Sequence, residues 1–355
     1  MAAVLLGATV LLHFASLTQA EVELNEDMQE QCRAWERFTD SSSVWNLLNS
    51  AVQHSLFDPL GGGNAKFVGW INHTHQVGVA TIQDGTPKLD SEAQGLLLDD
   101  DFHGLAAVVQ LFTEDEAMTL TNVFQSEGAN VMSPSEVAKR YIGRENTVRQ
   151  ATKDNVLAQL LFRRLQLMAM EDGEPFLHKM PFGQSLVGPN ADMRLAMTQA
   201  PTGQHKKHVD TQEDNKDYMD AQHASRVSQT TVQCYLNVGE YTGGEFVVFP
   251  ARLNPLPERP EDLNLYETNP GTNPDIVGVK IQVQRGQCVV FPQMHDNLYH
   301  GGARVTHGTK QALRFVLDLE KEGGENPVVA QGYIKPKFGQ GYVDDRTSIS
   351  RYRAS

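Results

Sequence analysis

A helical repeat of apolar residues occupies the middle of the chain. Its members follow the spacing i, i+3, i+4, i+8 and i+11, and they are Leu157, Leu160, Leu161, Leu165 and Met168. Because this spacing puts every member on one side of an α-helix, the pattern predicts an amphipathic helix that lies against a sheet. Arg164 falls within the same stripe, and we expect it to bury its aliphatic stem and carry its charged head to water.

After residue 189 the apolar runs become short and are separated by turn residues. The runs with strand character are 193–197, 230–238, 246–249, 277–283, 288–291 and 311–319. Such a succession of short strands is typical of an antiparallel sandwich or jelly roll, so the predicted fold class is mainly β with flanking helices. Two connections, 211–227 and 251–276, are long and polar, and loops of this length in a compact domain are usually functional.

The two faces of the last predicted strand differ in polarity. One face carries Gln311, Leu313, Phe315, Leu317 and Leu319, and the other carries Lys310, Ala312, Arg314, Val316 and Asp318. If the apolar face packs on helices, Lys310 and Arg314 point into the sandwich, where a buried cation needs an anionic partner. The run 231–238 divides in the same way and puts Tyr235 on the polar side. We therefore expect a cavity that binds a carboxylate-bearing ligand, and for Arg314 an ion pair with Asp318 is the alternative.

Composition narrows the possible classes of protein. The chain has 355 residues, of which 40% are hydrophobic and 21% charged, so it can bury a packed core in one or two domains. Its formal net charge of -14 opposes affinity for nucleic acid or anionic lipid, and we expect neither partner. The 3 cysteines are too few for a disulfide framework or a thiolate metal site, and Cys234 and Cys288 are interpreted as small buried hydrophobic residues.

The N-terminal segment has the pattern of a secretory signal. Residues 2–12 are almost wholly apolar, and the run ends in Thr18-Gln19-Ala20, which predicts a signal peptide over 1–20. An uncleaved anchor is the alternative, because no basic residue follows Met1. The sequon Asn72-His73-Thr74 agrees with a secretory route. We therefore expect the endoplasmic reticulum lumen or the extracellular space, with no membrane span after signal removal.

Three further segments complete the predicted organisation. They are an N-terminal extension without a motif over 21–100, a domain with a helical lead-in over 101–320, and a tail over 321–355. Residues 352–355 are not an endoplasmic reticulum retention signal, so a partner would have to supply any retention. The sequence leaves the oligomeric state open.

Separated segments offer residues that could hold a metal. In His208-Val209-Asp210, a strand would point both ionisable side chains to one face, ~6–7 Å apart, so that they can converge on one ion. His300 follows the run 288–291, and Lys310 comes ten residues later. Each of these features alone is common by chance.

Other histidines compete with this set. His295 lies five residues before His300 and is the main alternative as third ligand. We expect His205 on the surface beside the site and His223 as a solvated residue of the long loop.

The order and joint spacing of these residues resemble a known family. In chain order, the segments are the H-x-D motif, Arg226, Thr230 or Thr231, Tyr235-Leu236-Asn237, Gly243-Gly244-Glu245, G-x-x-x-x-F-P at 286–292 and H-x-G-x-x-V-x-x-G-x-K at 300–310. Over 194–319 the chain resembles the Fe(II)/2-oxoglutarate dioxygenases, on their prolyl 4-hydroxylase-like branch. One departure concerns a tyrosine that this family often has nine or ten residues before the first histidine, because this sequence has Thr198 and Gln199 there.

The resemblance implies a double-stranded β-helix core with His208, Asp210 and His300 as the iron ligands. Lys310 would pair with the distal carboxylate of 2-oxoglutarate, and Tyr235 would hydrogen-bond to the same end. Such a ligand set leaves positions on Fe(II) for 2-oxoglutarate and O₂. By the same resemblance, the reaction yields succinate and CO₂, and ascorbate keeps the iron reduced.

The implied activity is hydroxylation of a protein or peptide side chain, with proline as the first candidate. The same chemistry on another amino acid or a small metabolite is one alternative. A catalytically inactive jelly-roll binding module is the other, although the intact set of His208, Asp210, His300 and Lys310 argues against it.

Overall fold

The structure is a computed structural model that describes part of the chain. The described residues are 44–58, 64–71, 76–83, 86–89, 104–126, 131–132, 144–145, 147–190, 192–201, 204–208, 210, 226–249, 278–293 and 298–320. The predicted signal peptide, the sequon at 72–74, the tail, His223 and His295 lie outside these residues, as do most of the two long connections.

Short helices precede and interrupt the strands. Within the described ranges, the α-helices are α1 (Val44–Leu47), α2 (Ser50–Phe57), α3 (Glu114–Ser126) and α4 (Asn155–Leu167), with 3₁₀-helices at Phe176–Lys179 and Gly183–Ser185. Helix α4 confirms the helix predicted from the apolar stripe. It begins after Asp154, whose carboxylate accepts a hydrogen bond of 2.9 Å from the backbone N–H of Leu157 and so satisfies one free donor of the first turn.

Strands dominate the rest of the described chain. They are β1 (Lys66–Trp70), β2 (Gln76–Gln83), β3 (Thr86–Leu89), β4 (Ala107–Gln110), β5 (Val131–Met132), β6 (Arg144–Glu145), β7 (Thr147–Lys153), β8 (Leu186–Pro189), β9 (Asp192–Gln199), β10 (Gln204–His208), β11 (Arg226–Tyr235), β12 (Thr242–Gly243), β13 (Phe246–Phe249), β14 (Gly278–Ile281), β15 (Gln287–Pro292), β16 (Tyr299–Gly302), β17 (Val305–His307) and β18 (Thr309–Glu320).

Two antiparallel sheets form the body of the fold. The larger sheet has the order β1-β4-β15-β11-β18-β9-β7-β5, and β8 pairs with β18 beside this path. The smaller sheet has the order β3-β2-β14-β13-β16-β10-β6, and β12 and β17 form a separate ribbon. Neighbours in space are far apart in sequence, as in a jelly roll. The predicted class, mainly β with flanking helices around a jelly-roll core, is therefore confirmed.

The two faces of β18 pack against different partners, as the sequence predicted. Leu313, Phe315 and Leu317 belong to the larger hydrophobic cluster, which also contains the apolar stripe of α4. A smaller cluster combines Tyr235 and Phe291 of the larger sheet with Phe246 of the smaller one, so it lies between the sheets. The polar face of β18 consequently looks into the space between the sheets.

Residues before 100 also contribute to the sheets. Strand β1 pairs with β4 at one edge of the larger sheet, and β2 pairs with β14 in the smaller sheet. The backbone N–H of Trp45 donates a hydrogen bond of 2.6 Å to Asp154, which ties α1 to the start of α4. Part of the segment that showed no motif is thus built into the β structure.

Two sequence-based interpretations need correction. The charged head of Arg164 does not reach water, because the residue is 0% exposed and its guanidinium donates to both carboxylate oxygens of Glu116 at 2.8 and 2.9 Å. Cys234 and Cys288 are not free hydrophobic residues, because they are direct register partners on β11 and β15 and form a disulfide. In both cases the partner is distant in sequence, and local pattern carries no information about it.

No helix in the part of the chain that the structure describes is long and apolar enough to cross a membrane.

Candidate metal centre

Two neighbouring strands of the smaller sheet carry the predicted histidine ligands. His208 ends β10 and His300 lies in β16, and the two residues are direct partners in the antiparallel register. Asp210 lies just beyond the end of β10 and is buried. Two imidazole nitrogens and one carboxylate oxygen from these residues all lie within 4.8 Å of one another. The structure therefore brings the three predicted ligands together.

His300 is held in an aromatic and apolar setting. Its ring stacks on Phe246 with centroids 5.3 Å apart and contacts Phe291 at 4.5 Å. Its Nδ1 lies 3.3 Å from the carbonyl oxygen of Leu298, and its Nε2 faces Asp210. Burial, with the neighbouring His208, lowers the pKa of His300 to about 3. The imidazole is therefore neutral at physiological pH, which is the form that binds metals.

The two oxygens of Asp210 have different surroundings. Oδ1 lies 3.3 Å from Nε2 of His208 and 3.8 Å from Nε2 of His300. Oδ2 accepts hydrogen bonds from the Thr231 hydroxyl at 2.7 Å and from the Arg314 guanidinium at 2.9 Å. One oxygen thus faces the histidines while the other is held by donors of the larger sheet.

Arg314 determines the charge of this carboxylate. Burial, the largest single influence, raises the pKa of Asp210, but the Arg314 charge and the nearby histidines together hold it well below its usual range. Asp210 is therefore ionised in its buried position. Of the two roles that the sequence left open for Arg314, the structure puts the residue in the cavity, and its ion pair of 2.9 Å is with Asp210.

The donor set fits a divalent transition metal. Metal bonds to histidine and carboxylate are ~2.0–2.2 Å long, so one ion can join donor atoms that lie up to about twice that distance apart. Both distances from Oδ1 of Asp210 to the histidine nitrogens meet this condition. Two imidazoles and one carboxylate without thiolate suit Fe(II) and leave further positions on the ion open.

Lys310 lies in the same cavity on β18. It is 7% exposed, its Nζ donates a hydrogen bond of 2.6 Å to the carbonyl oxygen of Gly244, and it lies 4.8 Å from the ring centre of Tyr235. Burial lowers the pKa of Lys310 to about 8, an effect that the negative charge of Glu245 partly reverses. Gly244 has a φ of +71°, and a Cβ there would lie 3.0 Å from Cδ of Lys310, so glycine is needed for this close approach.

Tyr235 is entirely buried beside Lys310. It lies on β11, and its hydroxyl has no hydrogen-bond partner among the residues that the structure describes. Burial raises the pKa of this hydroxyl well above its ordinary value, so it stays protonated and is able to donate. Tyr235 therefore lies at the lysine end of the cavity, where the sequence placed it.

One cavity connects the predicted metal ligands with Lys310, and the sequence analysis gave several of its lining residues no role in the site. Besides His208, Asp210, His300, Lys310 and Arg314, the polar lining includes Thr147, Arg194, Thr198, His205 and Gln233. Arg194 and Thr198 alternate along β9 on the face that looks into the cavity. That alternation is readable in the sequence, and it could have indicated both residues.

His205 lies beside the site, as the sequence suggested, but it is half-buried. It lines the cavity, and its ring centre lies 4.0 Å from that of His208. Residues three apart in a regular strand point to opposite faces, but the register shifts between His205 and His208. This irregularity turns both rings to the same side, and no local sequence pattern announces it.

Thr198 occupies the position at which the sequence departs from the family that it resembles. Its Cα is the register partner of Lys310, and its hydroxyl lies 3.3 Å from that of Thr147 on the adjacent strand. Short hydroxyl side chains therefore line this part of the cavity instead of a large phenol.

Comparisons with known proteins complete the description. No family model matches the chain, and no curated protein matches it. Among solved structures, it is similar to the viral collagen prolyl hydroxylase of Paramecium Bursaria Chlorella virus-1 in its 2-oxoglutarate complex, at 15% identity and TM-score 0.36, over 61% of this chain and 97% of that one.

Two further solved structures illustrate the range of matches. One is a Trichoplax adhaerens prolyl hydroxylase bound to a hypoxia inducible factor peptide, at 12% identity and TM-score 0.38, over 62% of this chain and 86% of that one. The other is HygX of Streptomyces hygroscopicus with nickel and 2-oxoglutarate, at 13% identity and TM-score 0.34, over 60% of this chain and 82% of that one.

Proposed function

We propose that this chain is an Fe(II)- and 2-oxoglutarate-dependent dioxygenase. The observation that carries the proposal is the content of one cavity, which holds two histidines, an ionised aspartate and, on another strand, a buried lysine. A metal site needs only His208, Asp210 and His300. A buried ammonium beside them is costly, by roughly several kcal/mol, unless an anion pairs with it. A dicarboxylate that reaches from the metal to Lys310 accounts for both features.

The protein residues would divide the work between two ends of the cavity. His208, Asp210 and His300 hold the metal, which when bound supplies the O₂ chemistry that oxidises 2-oxoglutarate to succinate and CO₂. Lys310 binds the distal carboxylate, and the Tyr235 hydroxyl donates to the same group. The surrounding Phe246 and Phe291 exclude water from one side of His300.

The proposed substrate is a protein or peptide side chain, with proline as first candidate. The choice of proline comes from the branch that the sequence motifs resemble. One observation favours a polar or acidic substrate as second candidate, because Arg194 and the Thr147–Thr198 hydroxyl pair line the cavity. A cationic and hydroxyl-rich lining suits a carboxylate or amide better than it suits an apolar proline ring.

A secretory location and the use of ascorbate are part of the proposal. The disulfide between Cys234 and Cys288 supports such a route, since disulfides persist in oxidising compartments and are rare in the cytosol. Ascorbate, which would keep the iron reduced, is proposed from the resemblance alone.

Succinate release tests this function. Iron-loaded protein would be incubated with 2-oxoglutarate, O₂ and ascorbate across proline-rich peptides, peptides with acidic or amide side chains, and free amino acids. Substrate-stimulated succinate in one class supports the proposal and selects the substrate. Arg194→Met separates the two candidates, because it should lower turnover of acidic substrates and leave prolyl peptides unaffected. Stoichiometric metal binding without succinate for any class would instead indicate an inactive binding module.

A further inference from the structure

A chain of buried polar side chains leads from the larger sheet to the proposed metal ligand Asp210. The Ser228 hydroxyl lies 2.7 Å from Oε1 of Gln293, Nε2 of Gln293 lies 3.0 Å from the Thr231 hydroxyl, and that hydroxyl lies 2.7 Å from Oδ2 of Asp210. Ser228, Gln293 and Thr231 are each 0% exposed. We call these three residues the donor chain.

The contacts of Oδ2 of Asp210 fix the direction of every hydrogen bond in the donor chain, because this oxygen forms an ion pair of 2.9 Å with Arg314. A carboxylate oxygen that accepts from a guanidinium also accepts from the hydroxyl, so the single proton of the Thr231 hydroxyl points to Oδ2. The Thr231 oxygen is then left to accept, which requires the NH₂ group of Gln293 to face it. The Gln293 oxygen in turn faces Ser228, whose hydroxyl donates to it. A reversed Gln293 amide would put two acceptors against each other, so each member donates toward Asp210.

The donor chain holds Asp210 without adding charge. Arg314 also donates to Oδ2, but its positive charge repels a metal cation nearby. The Thr231 hydroxyl fixes the same oxygen with a neutral group. With Oδ2 occupied by two donors, Oδ1 is the oxygen that faces His208 and His300.

We propose that Ser228, Gln293 and Thr231 position Asp210 so that it binds the metal through Oδ1 alone, with Thr231 in contact and the other two acting through it. The proposal rests on the metal site of the proposed function. It adds a role for residues that neither ligate the metal nor line the cavity. Partners of metal ligands commonly set the affinity of the site, with losses of about 10- to 100-fold when they are removed.

Metal affinity tests this role without any turnover. Mn(II) would be titrated calorimetrically into metal-free full-length protein carrying Thr231→Val, which keeps the shape and removes the donor. We expect binding weaker by about 10- to 100-fold. Thr231→Ser keeps the hydroxyl and should restore affinity to within about twofold of the unmodified protein.

Thr230→Val is the matched control. Thr230 is the preceding residue of β11, is equally buried, and its hydroxyl has no hydrogen-bond partner among the described residues. The Thr230→Val variant should bind Mn(II) with an affinity within about twofold of that of the unmodified protein. An equal loss in Thr230→Val and Thr231→Val would mean that the strand, not the hydrogen bond to Asp210, was disturbed, and would overturn the proposal.

The second variant tests whether Gln293 acts through Thr231. Gln293→Met should weaken Mn(II) less than Thr231→Val does, and the double variant should be no weaker than Thr231→Val alone, because both remove one linked contribution. Additive losses of Mn(II) affinity in the double variant would overturn the proposal, because the two residues would then act independently. Unchanged Mn(II) affinity in Thr231→Val would also overturn it. Should Thr231→Val fail to fold, Gln293→Met alone decides. A loss of Mn(II) affinity in this variant supports the donor chain, and an unchanged Mn(II) affinity overturns it.

Failure of this inference can be distinguished from failure of the proposed function. If Mn(II) binding does not depend on His300, the metal site itself is wrong. If it depends on His300 but not on Thr231, only the donor chain is wrong.

Discussion

The two ends of the cavity differ in how well the protein itself stabilises the buried charge. At the metal end, Asp210 accepts hydrogen bonds from Thr231 and Arg314 and faces both histidines. At the lysine end, Lys310 donates to one carbonyl and lies beside an aromatic ring, and within the described ranges no carboxylate forms an ion pair with it. The pKa of Asp210 is accordingly held well below its usual range, while that of Lys310 is lowered to about 8.

This difference indicates which end of the cavity is pre-organised before a ligand binds. An anion with two strong donors is stabilised in the protein alone, so the metal end is pre-organised. The buried ammonium has one neutral acceptor, and the negative charge of Glu245 offsets its burial only in part. The lysine end therefore gains most when an anion binds. We infer that metal and cosubstrate affinities depend on separate residues, which variants can test one end at a time.

The largest effect is expected from removal of a histidine at the metal end. His300→Ala should abolish 2-oxoglutarate turnover and weaken Mn(II) binding, because it deletes a ligand without leaving a buried charge unpaired. His307→Ala is the matched control, since His307 is exposed on β17, the next strand in the chain, and the variant should behave as the unmodified protein. Full activity in His300→Ala would mean that His295, not His300, is the third ligand.

A large but more selective effect is expected at the lysine end. Lys310→Ala should lower the affinity for 2-oxoglutarate by at least about 30-fold, as expected when one partner of a buried charge pair is removed. Metal affinity should stay nearly unchanged, because Lys310 does not contact Asp210 or the histidines. Titration of 2-oxoglutarate into Mn(II)-loaded protein measures the first quantity. An unchanged affinity would mean that Arg314 or another base holds the cosubstrate.

The pH dependence of cosubstrate binding sharpens the same contrast. The pKa of Lys310 is lowered from 10.5 to about 8, so the unfolded chain binds more protons between these values. The ligand-free protein should therefore gain stability as pH rises through this window, while 2-oxoglutarate, which needs the ammonium, should bind more weakly above pH ~8, approaching tenfold per pH unit.

Lys310→Arg provides the control for this pH effect. A guanidinium stays protonated throughout the range, so the variant should lose the decline above pH ~8 even if its larger planar head binds 2-oxoglutarate less well. The same decline in Lys310→Arg and in the unmodified protein would assign the titration to another group. Calorimetric titration of 2-oxoglutarate at a series of pH values decides between these outcomes.

The parts of the fold that follow from local pattern were predictable. The alternation along β18 separated Leu313 and Phe315, which pack toward the helices, from Lys310 and Arg314, which face the cavity. The helical stripe located α4. Both patterns depend on the period of one element, and a single sequence displays that period directly.

The contacts between distant segments were not predictable. Arg164 meets Glu116 and Cys234 meets Cys288 only through the packing and register of separate elements. His205 turns inward because of an irregular pairing of β10 with β16. The hydrogen bond from Thr231 to Asp210 likewise joins β11 to the segment that follows β10. Motif resemblance indicated His208, Asp210 and His300, which the structure brings together, but it did not indicate the hydrogen bonds that hold Asp210.

The smallest expected effect concerns Tyr235 and tests whether the lysine end is incomplete without a ligand. The Tyr235 hydroxyl is buried without a hydrogen-bond partner among the described residues, so Tyr235→Phe removes a group that costs free energy in the ligand-free protein. The variant should be as stable as the unmodified protein or more stable, by up to about 1 kcal/mol. Its affinity for 2-oxoglutarate should fall about tenfold if the hydroxyl donates to the distal carboxylate, because a hydrogen bond to a charged group contributes about 1.5 kcal/mol. Thermal unfolding measures the first quantity, and titration of 2-oxoglutarate into Mn(II)-loaded protein measures the second. A clear loss of stability in the ligand-free variant would contradict the comparison, since it would show that Tyr235 completes the lysine end before any ligand binds.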